Sequence, residues 1–191
     1  MKSRDISVEA MARRTAKFSD LQPYQSQQQD ASGIPQAVLE KIAARRVYPL
    51  MVPEGYTGRS AMAPIKGAPG LALSITESPP GDGAALHMHE DTVENFFCLC
   101  GRFRISWGDH GEHSLIIGPN DFCSVPPGVV RSFTNISEET GRLLVMIQIH
   151  TDEQRDRIAF VPELQDDIAA TYGQKTLDAL TGIGIKFDAG R

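Results

Sequence analysis

Residues 81–101 read Gly-Asp-Gly-Ala-Ala-Leu-His-Met-His-Glu-Asp-Thr-Val-Glu-Asn-Phe-Phe-Cys-Leu-Cys-Gly, and His87, His89 and Glu94 are the residues among them best able to do chemistry. The two histidines are separated by a single residue, so on an extended strand both imidazoles point to the same face. Glu90-Asp91-Thr92 reads as a turn, and a hairpin there would bring Glu94 back beside the imidazoles. Two imidazoles and one carboxylate with open positions form the facial set that holds non-haem Fe(II), and Mn, Ni or Zn accept the same donors. A lone His-x-His is a weak signal, more often a pair of surface histidines than a site. The spacing around this one makes it a candidate metal site.

A second segment follows about twenty residues later: Asn120, Asp121, then Pro126-Pro127-Gly128, Arg131 and Asn135. Taken together, the two segments resemble the two signatures of the cupin superfamily. The first is Gly, five residues, His-x-His, four residues, Glu, six residues, Gly, and Gly81, His87, His89, Glu94 and Gly101 meet every position. The second is Gly, five residues, Pro-x-Gly, two residues, His, three residues, Asn. Here Pro126, Gly128 and Asn135 are in register, and Asn120 replaces the leading Gly, which Asn can do because it also enters left-handed turns. The resemblance covers about residues 47–150. It implies an all-β fold, a double-stranded β-helix or cupin jelly-roll barrel, often dimeric, with His87, His89 and Glu94 as ligands to a divalent transition metal.

Arg131 is the departure, standing where the family places its fourth ligand, a His. A guanidinium has no free lone pair and stays protonated, so it cannot ligate a cation. It would also repel one: a +2 ion about 5 Å from a +1 group, at an effective dielectric of about 20, meets roughly 6–7 kcal/mol. Three arrangements are open to it. Arg131 swings away, pairs with Glu94 in place of the metal, or stays and holds a substrate anion beside the ion. The reading that follows is a small-molecule enzyme, metal-dependent and oxygenase-like, with Arg131 anchoring a substrate carboxylate. Two alternatives stand beside it: a metal-free isomerase or epimerase using a His base, and a barrel that binds a small ligand without turnover.

Three stretches of different texture must position these residues. Residues 1–46 are an N-terminal arm and helix: a short helix near 6–18, a polar Gln-rich stretch with little to bury, and a helix opened by Pro35, with Val38, Leu39 and Ile42 at helical spacing. Residues 47–151 change to short apolar runs bounded by Gly, Pro, Asn and Asp, the pattern of a sandwich or barrel. Leu71, Leu73 and Ile75 alternate with smaller residues, and ENFFCLC, RFRISW, HSLIIG, DFCSVP, RSFTN and GRLLVMIQIH read as further strands. Residues 152–191 return to helix over PELQDDIAATY and TLDAL, padding the outside. Gln148 and His150 end the last long run and share a face with Leu144 and Met146, so Gln148 is a candidate for the cavity wall. His110 and His113 read as exposed turn residues, Cys123 as packed near the site, and Phe96, Cys98, Phe133 and Trp107 as core or pocket wall.

Composition excludes other classes. The 191 residues carry 24 acidic against 19 basic side chains, a net charge of −5, without the basic stripe of a nucleic-acid binder. No apolar run approaches the roughly 20 residues that span a bilayer, and the N-terminus lacks the apolar core of a secretory signal, so the expected location is the cytoplasm. Three cysteines, an odd number, read as free thiols rather than a disulfide framework. The expected partners are a small-molecule substrate and a second copy in a homodimer, the polar arm lying across the partner barrel.

Overall fold

The computed structural model describes residues 1–26, 33–149 and 157–190. Two sheets face each other. The larger has the order β2-β1-β3-β10-β5-β8, formed by β1 (Arg46–Pro53), β2 (Ile65–Gly67), β3 (Leu71–Ser78), β5 (Thr92–Cys100), β8 (Phe122–Val125) and β10 (Gly141–Ile149). The smaller runs β11-β4-β9-β6-β7, from β4 (Gly83–His89), β6 (Phe103–Trp107), β7 (His113–Ile117), β9 (Arg131–Asn135) and β11 (Ile158–Phe160). From β3 onward the chain changes sheet at almost every turn, the double-stranded β-helix expected from the signatures. Among the described strands pairing is antiparallel except where β1 meets β2, and Ala159 adds an isolated parallel bridge to Lys186.

This topology corrects the expected hairpin at residues 90–92. β4 and β5 lie in opposite sheets, so Glu94 reaches the imidazoles across the interior rather than along a ladder. Gly101, at φ +85°, is likewise a crossing between sheets, and among the described residues the hairpin is the one β6 and β7 form, paired from Phe103↔Ile117 to Trp107↔His113. Glycine and its stand-in are required where the signatures place them: Gly81, Gly128 and Asn120 adopt φ of +77°, +75° and +71°, the left-handed region that an ordinary side chain avoids. Asn135 is fully buried; its Nδ2 donates to Ser78 O and Glu139 O, and its Oδ1 accepts from Ser137 N. It ties the β3–β4 and β9–β10 turns together at the end of the sandwich away from the histidines.

Strand alternation sorts side chains between two cores. On β4 the period of two sends His87 and His89 inward and Leu86 and Met88 outward. The outward pair packs against a cluster built from α2 (Gln36–Ala43), α3 (Pro162–Tyr172) and α4 (Gln174–Gly182), through Val38, Leu39, Ile42, Leu164, Ile168, Leu177 and Leu180. The terminal helices therefore grip the back of the strand that carries the histidines. Between the sheets lies the second core, with Phe96, Phe103, Phe133, Leu143 and Val145. Phe133 meets Phe96 and Phe103 edge-on, with ring centroids at 5.5 and 6.1 Å.

Several expectations at the edges change. The tail does more than pad: β11 pairs with β4 at Ile158↔His89, Ala159↔Met88 and Phe160↔His87, extending the sheet past residue 151. The helix expected over 6–18 shrinks to α1 (Val8–Ala12), capped by Ser7, and a 3-10 turn at Phe18–Asp20. Residues 27–32 of the Gln-rich arm lie outside the described residues, and the part before them buries more than its composition suggests. Leu21, Tyr24 and Gln25 are enclosed, with Gln25 donating to Ala44 O and accepting from Val47 N. Gln148 is exposed: the face it shares with Leu144 and Met146 is the outer one. His150 lies outside the described residues. Among the described residues no helix is long and apolar enough to cross a membrane.

Candidate metal centre

Four polar side chains meet between the sheets, and each is there because its strand's inward parity puts it there. His87 and His89 come from β4, Glu94 from β5 and Arg131 from β9, which pairs with β4 at His87↔Arg131. All are buried, with 5, 3, 5 and 0% of their surface exposed. They converge on one atom, Glu94 Oε2: Arg131 Nε donates to it at 2.8 Å, while His87 Nε2 and His89 Nε2 stand 3.8 and 3.7 Å away. Of the three arrangements the sequence left open for Arg131, the structure adopts the pairing with Glu94.

The surroundings orient the imidazoles. His87 Nδ1 lies 2.7 Å from Ala85 O, and because a carbonyl only accepts, Nδ1 carries the proton and Nε2 presents its lone pair to Glu94. His89 Nδ1 contacts Thr92 Oγ1 at 3.2 Å. Such outer partners fix ring orientation in metal sites. The turn of the second signature secures the same strand, since Gly128 N donates to His89 O at 2.9 Å.

Electrostatics follow from burial and charge. Burial pushes the His87 imidazole below its ordinary value, against the opposing charge of Glu94, so the neutral form is favoured. Burial alone would raise the Glu94 carboxyl, but the guanidinium of Arg131, with the two imidazoles, holds it well below the usual carboxylate range. Glu94 is therefore an anion with its charge already matched.

His87, His89 and Glu94 offer ligand atoms that all lie within 4.8 Å of one another. Bonds of about 2.1 Å at tetrahedral or octahedral angles put neighbouring donors about 3.0–3.4 Å apart; the Nε2–Oε2 spacings of 3.8 and 3.7 Å are wider, so an ion would draw the three donors together. The donor set and its oriented Nε2 atoms fit a divalent transition ion. Arg131 cannot ligate and shares the carboxylate oxygen that an ion would take.

The three donors open on a cavity of about 590 Å³, within the range of small-molecule sites. Arg131 does not line it; the guanidinium sits behind Glu94, with Nη1 donating to Val129 O. Phe160, its ring centroid 5.6 Å from that of His87, and Arg157 and Lys186 bring the C-terminal extension into the wall, while Tyr24 and Arg59 bring in residues N-terminal to β3. No motif marks these residues in the sequence. Other candidates fall elsewhere: His110 and His113 are exposed on the β6–β7 hairpin, Trp107 stacks near His113, and Phe133 lines the cavity while Phe96 packs beneath it. Cys123 packs at the edge of the inner core, and all three thiols are free, with burial raising that of Cys98 to about 11.

Comparison with known proteins bears on the same strands. Residues 74–147 match the family described as the cupin domain. A stretch of 72 residues, 38% of this chain, is 36% identical to quercetin 2,3-dioxygenase of Bacillus subtilis (strain 168), and the match spans a fifth of that enzyme's length. Among solved structures, the cupin domain of Schizosaccharomyces pombe Cnp3 is 21% identical over 44% of this chain and 60% of its own, with a TM-score of 0.41. A cupin protein from Bacteroides fragilis is 23% identical over 44% of this chain and 69% of its own, with a TM-score of 0.39. The matched family span runs from β3 into β10 and contains His87, His89, Glu94 and Arg131 together with both signature turns; residues 74–147 form a cupin domain.

Proposed function

We propose that the protein is a small-molecule enzyme of the cupin type, metal-dependent and oxygenase-like, with His87, His89 and Glu94 holding a divalent transition metal. The observation that carries this reading is the convergence of three buried ligand atoms, two of them on oriented imidazoles, at the wall of a cavity of small-molecule size. The likeness to a dioxygenase supports it. An ion held there supplies Lewis acidity and, as iron, access to dioxygen. The chain's own residues do the rest. His87 is kept neutral by burial, and Phe160 and Ile158 shield the imidazoles on the β11 side. Arg131 holds Glu94 in place from behind and acts through that carboxylate.

Protein purified without chelator or affinity tag should carry near-stoichiometric metal by elemental analysis. His89→Ala and Glu94→Ala should each lose it while keeping a cooperative melt. Metal retained by both variants overturns the ligand assignment. The ion pair of Arg131 with Glu94 favours a second reading, in which the guanidinium stands in for the metal and the barrel is an isomerase, an epimerase or a ligand-binding module. That reading gives metal-free protein and no substrate-dependent oxygen uptake.

A further inference from the structure

We infer that the end of the cavity remote from the histidines receives a carboxylate of the ligand, held by the guanidinium of Arg59 and the hydroxyl of Thr76. The inference rests on the reading of this cavity as the enzyme's substrate site, and it names the class of substrate. Cations on the wall differ in their partners. Lys186 pairs with Glu90 at 2.8 Å, and Arg157 faces Asp91 at 3.8 Å. Glu94 is matched by Arg131. Arg59 has no carboxylate within ion-pair distance among the described residues, and its Nη1 is buried without a hydrogen-bond partner. Its guanidinium lies over the Tyr24 ring, 5.8 Å from the centroid; that contact fixes the plane and leaves the in-plane N–H groups unused.

Thr76 supplies the second observation. It is 4% exposed, lines the same cavity, and its Oγ1 also lacks a partner among the described residues. A buried polar group left unsatisfied costs about 1–3 kcal/mol, so two on one wall call for a ligand that completes them. They belong to one end of the cavity. Thr76 is in register with Val47, whose N–H is held by Gln25, the neighbour of Tyr24, over which Arg59 lies. Glu94 is level with Ile147 and Ala72, and Thr76 is four residues further along β3, about 13 Å of strand. Between them the wall is mainly apolar, with Val145, Phe133 and Ala84 around the small Ser74. A forked guanidinium and a hydroxyl lining one cavity suit the two oxygens of a carboxylate. After side-chain reach is subtracted, the ligand is an apolar-bodied acid of roughly 8–10 Å.

The probes are arylalkanoic acids from phenylacetate to phenylhexanoate and their matching carboxamides, titrated calorimetrically at fixed ionic strength. For the best-fitting acid, wild-type protein should prefer acid over amide by roughly ten- to a hundredfold. Arg59→Gln should bring that ratio near one, and Arg59→Lys should fall between, since it keeps charge without the fork. Thr76→Val keeps shape and fold; it should weaken the acid several-fold yet raise Tm, because it removes a buried unsatisfied hydroxyl. Metal content, measured on the same samples, should be unchanged in all three variants. A wild type that prefers no acid over its amide, or an Arg59→Gln variant that keeps the preference, overturns the inference. Acid preference in metal-free wild type fells the metal reading alone, and metal-loaded protein without the preference fells this inference alone.

Discussion

Replacing Arg131 by His tests how the centre balances charge, because the two consequences run in opposite directions. With Nε 2.8 Å from Glu94 Oε2, the guanidinium charge would lie about 5 Å from an ion bound to that carboxylate, a repulsion of roughly 6–7 kcal/mol at an effective dielectric of about 20. Glu94 attracts both cations and offsets part of it. Arg131→His removes the repulsion and adds an imidazole, so metal should bind at least a hundredfold more tightly, about 2.8 kcal/mol. Without metal, the same change leaves Glu94 buried and lacking its counter-charge. Breaking a buried pair from one side costs about 3–5 kcal/mol, so the metal-free variant should melt well below metal-free wild type. Added metal should then restore the loss in proportion to its affinity. Arg131→Met removes the charge without supplying a ligand and should fall between in affinity. Chelator-competition titrations give the affinities, and melts with and without chelator give the stabilities. Equal affinities and equal metal-free melts in all three proteins would refute the reasoning.

Other perturbations address what holds the site. Asn135→Ala, which removes three short hydrogen bonds from a fully buried side chain, should cost about 2–4 kcal/mol in denaturant unfolding; a loss under about 1 kcal/mol would deny Asn135 its tethering role. Phe160→Ala empties the space beside His87 and should cost about 3–5 kcal/mol while also weakening metal binding; unchanged metal affinity would show that β11 only completes the sheet. A homodimer is expected through the outer face of the larger sheet, where Phe122 and Leu99 are 56% and 41% exposed beside Phe97. Light scattering should give a dimer for the wild type and a monomer for Phe122→Asp, and a wild type that is monomeric at micromolar concentration removes the idea.

What could be read from the sequence is what depends on short stretches of chain. Positive φ at Gly81, Gly101, Asn120 and Gly128, the inward parity of His87 and His89, and the strand boundaries all follow from residues within one strand or turn. The partners of each strand do not. The spacing between His89 and Glu94 suits a hairpin as well as a crossing, and only the closing of two sheets around one interior selects the crossing. Likewise, alternation at Leu71, Leu73 and Ile75 marks a strand but not its inner face. The smaller residues Ala72, Ser74 and Thr76 line the cavity, because a ligand cavity must leave room where a packed core would fill it. Arg59, Phe160 and Lys186 carry no local mark, since they reach the wall from segments outside the signatures.

Arg131 shows how far local reading goes and what it omits. Its inward direction follows from its place in the second signature, and its chemistry rules out ligation; its partner had to come from the other sheet. The pair with Glu94 accounts for both charges, yet it does not account for the imidazoles. Neither histidine lies within hydrogen-bond distance of Arg131 or Glu94, and Nε2 of each stands too far from Oε2, at 3.8 and 3.7 Å, to serve the ion pair. Apolar side chains of similar volume would fill the same space without the cost of burying two polar rings. His87 instead directs an unprotonated nitrogen at a carboxylate oxygen 3.8 Å away, an opposition of lone pairs that a proton or a metal ion between them would relieve. The ion pair matches the charges of Arg131 and Glu94, and the two imidazoles take no part in it.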